Sequence, residues 1–346
     1  MKAMKAALLE SVKNINVKDV PRPGVDENSV LLRVRACGIC GSDLKFFNYG
    51  DRVKKFPAII GHEIAGEVAE VGNSVDNFVV GTKIALGNEV PCKQCETCKK
   101  CLENVCDNVL SIGTTLPGGL SEYMLLNEDV VSRGPINRMP DNITFDEAAL
   151  AEPLGCVVNG LEFAHMSQGK SILIIGAGPI GCMMINLAQV MGAGKIVVAD
   201  AQEKRIRLAE HFDADRYVTS GDFLEESMSI SPHGYDVVMS ATNNIQAHES
   251  AIKAVAKGGF VNIFGGIPRG LGDAIALPVN LMHYRQFSIG GSFSQTREHH
   301  RKALEYIAGG KIRTKKLITH RFALDDVRKA FNVVEKQEGL KVIINP

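Results

Sequence analysis

SILIIGAGPIGCMMINLAQVMGAGKIVVAD, residues 171–200, decides the fold of the second half of the chain. Ser171–Ile175 reads as a short strand and Pro179–Met191 as an apolar helix. Ile196–Asp200 reads as a second strand. Between the first strand and the helix lies Gly176-Ala177-Gly178-Pro179-Ile180-Gly181, a GxGxxG turn. In a chain with 34 glycines the spacing alone says little; its position between strand and helix gives it weight. Gly176 permits a tight turn, Gly178 lets backbone amides approach a pyrophosphate, and Gly181 lets helix and strand pack closely. Pro179 and Ile180 open the helix, whose N-terminus favours negative phosphate.

Asp200 closes the second strand, at the distance beyond Gly181 that the acidic partner of such a turn requires. There it would accept bonds from both ribose hydroxyls and repel a 2′-phosphate, so NAD is expected rather than NADP. The bland alternative is that Asp200 only caps the following helix. Arg205 would cover the adenine, or else sit solvated on a helix surface.

Working outward, residues 203–212 and 246–256 read as helical, and 235–240 and 260–264 as strands. Strands alternating with helices imply a doubly wound parallel sheet, an α/β Rossmann domain. Gly265-Gly266-Ile267 and Ser292-Phe293 follow its later strands and are expected to border the nicotinamide, although a plain turn would also explain the glycines. The chain up to Leu150 differs: strands at 30–36, 63–71, 79–86 and 121–126, broken by turn residues, suggest an irregular, mostly β domain. A helix should start at Thr144, where Thr144-Phe145-Asp146-Glu147 has capping-box form, and be interrupted at Glu152-Pro153. Helices near 298–308 and 325–336 and a strand at 340–344 should return to the first domain. The expected division is 1–152 with 293–346 returning to it, and 153–292 for the cofactor.

Two further patterns carry metal chemistry. Cys92-x2-Cys95-x2-Cys98-x7-Cys106 places four thiolates in a polar loop, which suits a closed tetrahedral zinc site. An iron–sulfur cluster is the main rival, though the proline that usually follows the fourth cysteine is missing. Cys101 falls outside the spacing. The second pattern is dispersed: Cys40 in Gly38-Ile39-Cys40-Gly41-Ser42-Asp43, His62 and Glu63 in Gly61-His62-Glu63-Ile64-Ala65-Gly66, and Glu152 before Pro153. A catalytic zinc needs about three protein ligands and one exchangeable position. Each residue alone has a bland reading; together with the cysteine lobe and the glycine turn they suggest a catalytic metal.

The bulk numbers exclude other classes. Lys+Arg and Asp+Glu balance at 39 each, so no global field draws nucleic acid or an anionic membrane. Lys93, Lys99 and Lys100 are offset by Glu96, Glu103 and Asp107, against a nucleic-acid zinc ribbon. No apolar run is long enough to span a bilayer, and no signal peptide is expected. Nine cysteines, six of them between Cys92 and Cys156, suit metal ligation and a cytoplasmic location better than a disulfide scaffold.

With CGICGSDL, GHEIAGEVAEVG, the four-cysteine lobe, AEPLG and GAGPIG in that order, the whole chain resembles the zinc-containing medium-chain dehydrogenase/reductase superfamily, most of all its sorbitol and threonine dehydrogenase branch. The resemblance implies a GroES-like catalytic domain, one catalytic and one structural zinc, NAD, and a homotetramer or homodimer. It implies that Cys40, His62 and Glu63 surround the catalytic metal, with Glu152 as ligand or as partner of its water. Cys156 is then packing, and Asp43 orients the zinc histidine. The expected reaction is hydride transfer between a secondary alcohol, a polyol or sugar alcohol, and its ketone, with Ser42 taking the hydroxyl proton. A threonine 3-dehydrogenase-like or sugar-alcohol-phosphate activity is the alternative within the class; a non-catalytic NAD sensor is a third reading, opposed by retention of the site residues. Two departures stand out. Lys45 occupies the place of a relay histidine, and Ser294-Gln295 the place where the branch carries an arginine. His299-His300-Arg301-Lys302 reads as a solvated helix face, or less simply as a phosphate contact.

Overall fold

The structure is a computed structural model and describes residues 2–219, 223–267 and 272–346. The chain forms two compact units. One comprises Met1–Cys156, Ser294–Gly310 and Thr314–Pro346; the other comprises Val157–Phe293 and Lys311–Arg313.

The second unit is built on six parallel strands: Ser171–Ile175, Lys195–Ala199, Arg216–Val218, Tyr235–Ser240, Val255–Ile263 and Ser288–Gly291. Numbered within this unit, their spatial order is 3-2-1-4-5-6, that of a doubly wound dinucleotide fold. The strands are apolar without alternation because helices cover both faces. Leu173, Ile175, Val197, Ala199, Val238 and Val261 are fully or nearly fully buried in one cluster. The sheet reverses winding between Ser171–Ile175 and Tyr235–Ser240, so the turn at Gly176 lies at the switch point. Arg216–Val218 and Ser288–Gly291 are short and carry no pattern in the sequence.

Among the described residues, the first unit holds a seven-stranded sheet, a small three-stranded one and a two-stranded one. Val30–Ile39 lies near the centre of the larger sheet, antiparallel to Glu63–Val71 on one side and to the C-terminal strand Lys341–Asn345 on the other. The register sets Gly38 opposite Glu63 and Ile39 opposite Val342. Residues from three distant segments thus meet where Val30–Ile39 ends.

Two local expectations are corrected, and one element is added. The strand expected over 79–86 begins only at Lys83; Val79 and Val80 are exposed in a turn closed by Thr82, whose hydroxyl donates to the Val79 carbonyl at 2.7 Å. A nine-residue helix, Gly41–Tyr49, stands in the mostly β region, starting directly after Cys40. The Thr144 capping box is present, but Glu152-Pro153 does not interrupt the helix. The break is at Leu150, and a new helix, Ala151–Phe163, carries Pro153 in its first turn. Proline is tolerated there because the first-turn amides have no intrahelical acceptor.

Candidate functional site

Cys40 is the residue before the Gly41–Tyr49 helix, and Asp43 lies in that helix's first turn. Asp43 is fully buried and ties two loops together. Its Oδ2 accepts from the Cys40 amide at 2.8 Å; its Oδ1 accepts from the Gly61 amide at 3.2 Å and lies 3.2 Å from His62 Nδ1. With Nδ1 turned to Asp43, the His62 ring presents Nε2 to Ser42, whose Oγ lies 3.3 Å away. Burial alone would lower the pKa of His62, but Asp43 and Cys40 outweigh it and push it well up.

Glu63 follows on the strand, with no exposed surface. A Cβ at Gly38 would come within 1.9 Å of Glu63 Oε2, so a glycine opposite is what lets this carboxylate lie across the sheet. Lys341, almost fully buried, pairs with Glu63 and also donates to the Ile39 carbonyl at 3.2 Å. Glu152 is buried on the Ala151–Phe163 helix, where its Oε1 accepts from Gln295 Nε2 at 3.2 Å and faces the Cys156 thiol at 3.7 Å. Burial first, with the charge of Glu63 adding and that of His62 opposing, raises its pKa to about 7. Cys156 is pushed well up by burial and by Glu152, so it stays a thiol and suits packing. Cys40 lies beside His62, and Glu152 is near enough to His62 and Glu63 to be shifted by both. A thiol, an imidazole and a carboxylate are donor types that suit a divalent cation, although among the described residues only the lobe cysteines have ligand atoms all within 4.8 Å of one another.

The second set is denser. The sulfurs of Cys92, Cys95, Cys98 and Cys106 all lie within 4.8 Å of one another. Tetrahedral zinc with Zn–S of about 2.3 Å implies S···S of about 3.8 Å, and Cys95 Sγ lies 3.8 Å from Cys106 Sγ. The amides of Gln94 and Cys95 donate to Cys92 Sγ at 3.4 and 3.3 Å, and those of Cys92 and Asn108 to Cys106 Sγ at 3.2 and 3.3 Å. Such donors stabilise thiolate; the Thr97 hydroxyl leads the contacts that lower Cys95 to about 6. Cys101 is exposed with φ 61°, outside the cluster.

In the second unit the glycine turn has the required geometry. Gly176 has φ 110°, and a Cβ there would lie 2.5 Å from the Ala241 carbonyl oxygen; at Gly181 it would lie 1.9 Å from the Gly176 oxygen. Pro179 takes the first helical position, followed by Ile180. Asp200 Oδ2 accepts from the Ala177 amide and its Oδ1 from the Gln202 amide, each at 2.8 Å. Asp200 therefore braces the turn as well as the helix after it. Arg205 Nη1 lies 3.9 Å from Asp200 Oδ2 and 3.1 Å from where a Gly178 Cβ would be, over the turn rather than out in solvent. Gly265 is demanded by a close approach, its Cβ position being 1.9 Å from the Thr242 oxygen, whereas Gly266 has open space. Beyond Ile267, Ser292 is pinned by Asn262, whose Nδ2 and Ser292 Oγ are 3.0 Å apart, and the next residue, Phe293, is exposed.

The basic run at 299–302 divides. His300 is fully buried, its Nδ1 2.9 Å from Asn137 Nδ2, and burial lowers it to about 3. Arg301 pairs with Glu298 and Glu305 on the exposed face. Sequence reasoning missed Lys341; its one signal was a lysine opening an otherwise apolar strand.

Residues 26–136 match the alcohol dehydrogenase GroES-like domain family and residues 179–309 the zinc-binding dehydrogenase family. The chain is 34% identical to sorbitol dehydrogenase of Bacillus subtilis (strain 168), over 99% of this chain and 97% of that protein. It is 29% identical to D-xylulose reductase A of Aspergillus oryzae, over 97% and 95%. A crystal structure from Sinorhizobium meliloti 1021, described as a zinc-binding dehydrogenase bound to NADP, superposes with a TM-score of 0.92 at 29% identity, covering all of both chains. Full-length likeness at this level, with both family models matched, assigns the chain to the zinc-containing medium-chain dehydrogenase/reductase superfamily, in its sorbitol-dehydrogenase-like branch.

Proposed function

We propose that this chain is a zinc-dependent, NAD-linked polyol dehydrogenase that interconverts a secondary alcohol of a polyol or sugar alcohol and the corresponding ketone. The observation that carries the reading is the pairing of Ser42 Oγ with His62 Nε2 at 3.3 Å, with Asp43 behind the ring. A proton-accepting hydroxyl then lies beside the imidazole of a metal-binding motif. The sorbitol dehydrogenase and D-xylulose reductase relatives support the substrate class.

When bound, zinc supplies Lewis acidity to the substrate oxygen and NAD accepts the hydride. Cys40, His62 and Glu63 are the residues proposed to hold the catalytic metal, with Glu152 as a further ligand or as a partner of its water; Cys92, Cys95, Cys98 and Cys106 would hold the structural zinc. Asp43 fixes the His62 ring and leaves Nε2 facing Ser42. Ser42 receives the hydroxyl proton and passes it toward solvent. Gly176, Gly178, Pro179, Ile180 and Gly181 would cradle the pyrophosphate. Asp200 and Arg205 would meet the adenosine half, and Gly265, Gly266, Ile267, Ser292 and Phe293 the nicotinamide half. The division into a GroES-like catalytic domain and a Rossmann domain follows the same reading.

A cytoplasmic homo-oligomer is part of the proposal. Among the described residues, no helix is long and apolar enough to cross a membrane. The edge strand Ser288–Gly291 and the exposed Leu277, Val279 and Tyr284 offer a surface for a second copy.

A screen of polyols with NAD, following absorbance of the reduced cofactor, tests the activity. Turnover of sorbitol or xylitol is expected, falling about 10²-fold or more in Ser42→Ala with metal content intact. Turnover of threonine or of phosphorylated sugar alcohols alone would replace the substrate reading. Equal turnover of parent and Ser42→Ala across pH would remove Ser42 from the mechanism.

A further inference from the structure

The chain leaves the second unit at Phe293 and enters the first at Ser294. Ser294 has φ 51°, a left-handed conformation uncommon outside glycine. At this bend and directly after it, two consecutive side chains are anchored in the first unit. Ser294 Oγ donates to Asn88 Oδ1 at 3.2 Å, and Gln295 Nε2 donates to Glu152 Oε1, also at 3.2 Å. Gln295 is 1% exposed, and room for it is made by a glycine: a Cβ on Gly155 would lie 1.7 Å from Gln295 Oε1. With Glu152 ionised, turning the amide over would set its carbonyl oxygen against the carboxylate, so the donor orientation is the one that suits the ionised acid.

We infer that Gln295 is a positioning residue for the Glu152 carboxylate. Its amide and the Cys156 thiol engage the same oxygen, Oε1. That fixes the rotation of the carboxyl group and leaves Oε2 as the oxygen available to the metal site. The inference rests on the proposed place of Glu152 beside the catalytic metal. Gly155 belongs to the same device, because any side chain there would expel the amide.

The test uses the full-length enzyme with cobalt(II) exchanged into the catalytic site, read by its visible absorption and by the rate of metal loss to a chelator. Gln295→Met keeps the length and volume but removes the donor; Gly155→Ala displaces the amide without changing it. Groups that orient metal-site residues are typically worth about 10–100-fold in metal affinity or activity. Both variants are therefore expected to shift the cobalt band and to release metal about tenfold faster, with kcat falling and KM for NAD unchanged. Glu152→Gln serves as the reference. If Glu152→Gln shifts the band and Gln295→Met does not, the inference about Gln295 is overturned while the reading of Glu152 stands. If Glu152→Gln itself leaves the band and the release rate unchanged, both fall. Should Gln295→Met not fold, Gly155→Ala with parental spectrum and metal release overturns the inference equally.

Discussion

Lys341 and Glu63 form an ion pair with almost no exposed surface, joining the strand Glu63–Val71 to the last strand of the chain, Lys341–Asn345. Burial alone would lower the lysine pKa, but the charge of Glu63 outweighs it and the pKa is raised. Lys341 thus stays charged, and its contribution to stability persists below the ordinary lysine range and is lost only as pH rises through the raised pKa.

Removing one partner of a buried pair strands the other. Lys341→Met should destabilise the metal-free protein by about 3–5 kcal/mol, measured by urea unfolding. Zinc should restore part of that loss, because a cation beside Glu63 again balances its charge. Unfolding that is unchanged in Lys341→Met would show that the pair contributes nothing net.

The cysteine lobe predicts a clean stoichiometric difference. Cys98→Ser should lose the structural zinc and lower the thermal midpoint, since a structural site adds its binding free energy to folding. Cys101→Ser should retain both the metal and the midpoint. Metal analysis of the two purified variants decides; zinc lost on Cys101→Ser would redraw the ligand set.

Asp200 holds the Ala177 and Gln202 amides and would meet the ribose. The parent should prefer NAD to NADP. Asp200→Ser should cut that preference roughly tenfold or more, the worth of a hydrogen bond to a charged group, about 1.5–3 kcal/mol. The ratio of kcat/KM for the two cofactors is the measurement. Because the NADP-bound relative shares the fold, a parent that favours NADP would overturn the ribose role.

His300 predicts a pH effect on stability alone. Burial lowers its pKa from 6.5 to about 3, so the folded state resists a proton that the unfolded chain accepts. The contribution is whole above pH 6.5 and shrinks as pH falls toward about 3. His300→Gln should flatten the fall in unfolding free energy between pH 6 and 4 by up to one proton, about 1.4 kcal/mol per pH unit. An unchanged slope would mean that other groups control it.

The sequence by itself determined the parts whose cause is local. Gly176, Gly178 and Gly181 need no partner to announce a tight turn between strand and helix, and the apolar runs around them need only a sheet covered on both faces. The four cysteines all fall in one short loop, from Cys92 to Cys106, so their spacing alone brings them within reach of one ion. Thr144 and Glu147 cap a helix from within its own first turn. What sequence could not decide is set by register between distant strands. Nothing near Lys341 says that it will meet Glu63; that follows from Gly38 lying opposite Glu63 while Val342 lies opposite Ile39. Nor does Ser294-Gln295 reveal that one amide will reach Glu152, since that contact depends on the missing side chain of Gly155. Spacing along the chain encodes turns, caps and a metal loop, because those interactions join near neighbours in sequence. The direction in which a buried charge or amide points is encoded only by which strands and helices pack beside it.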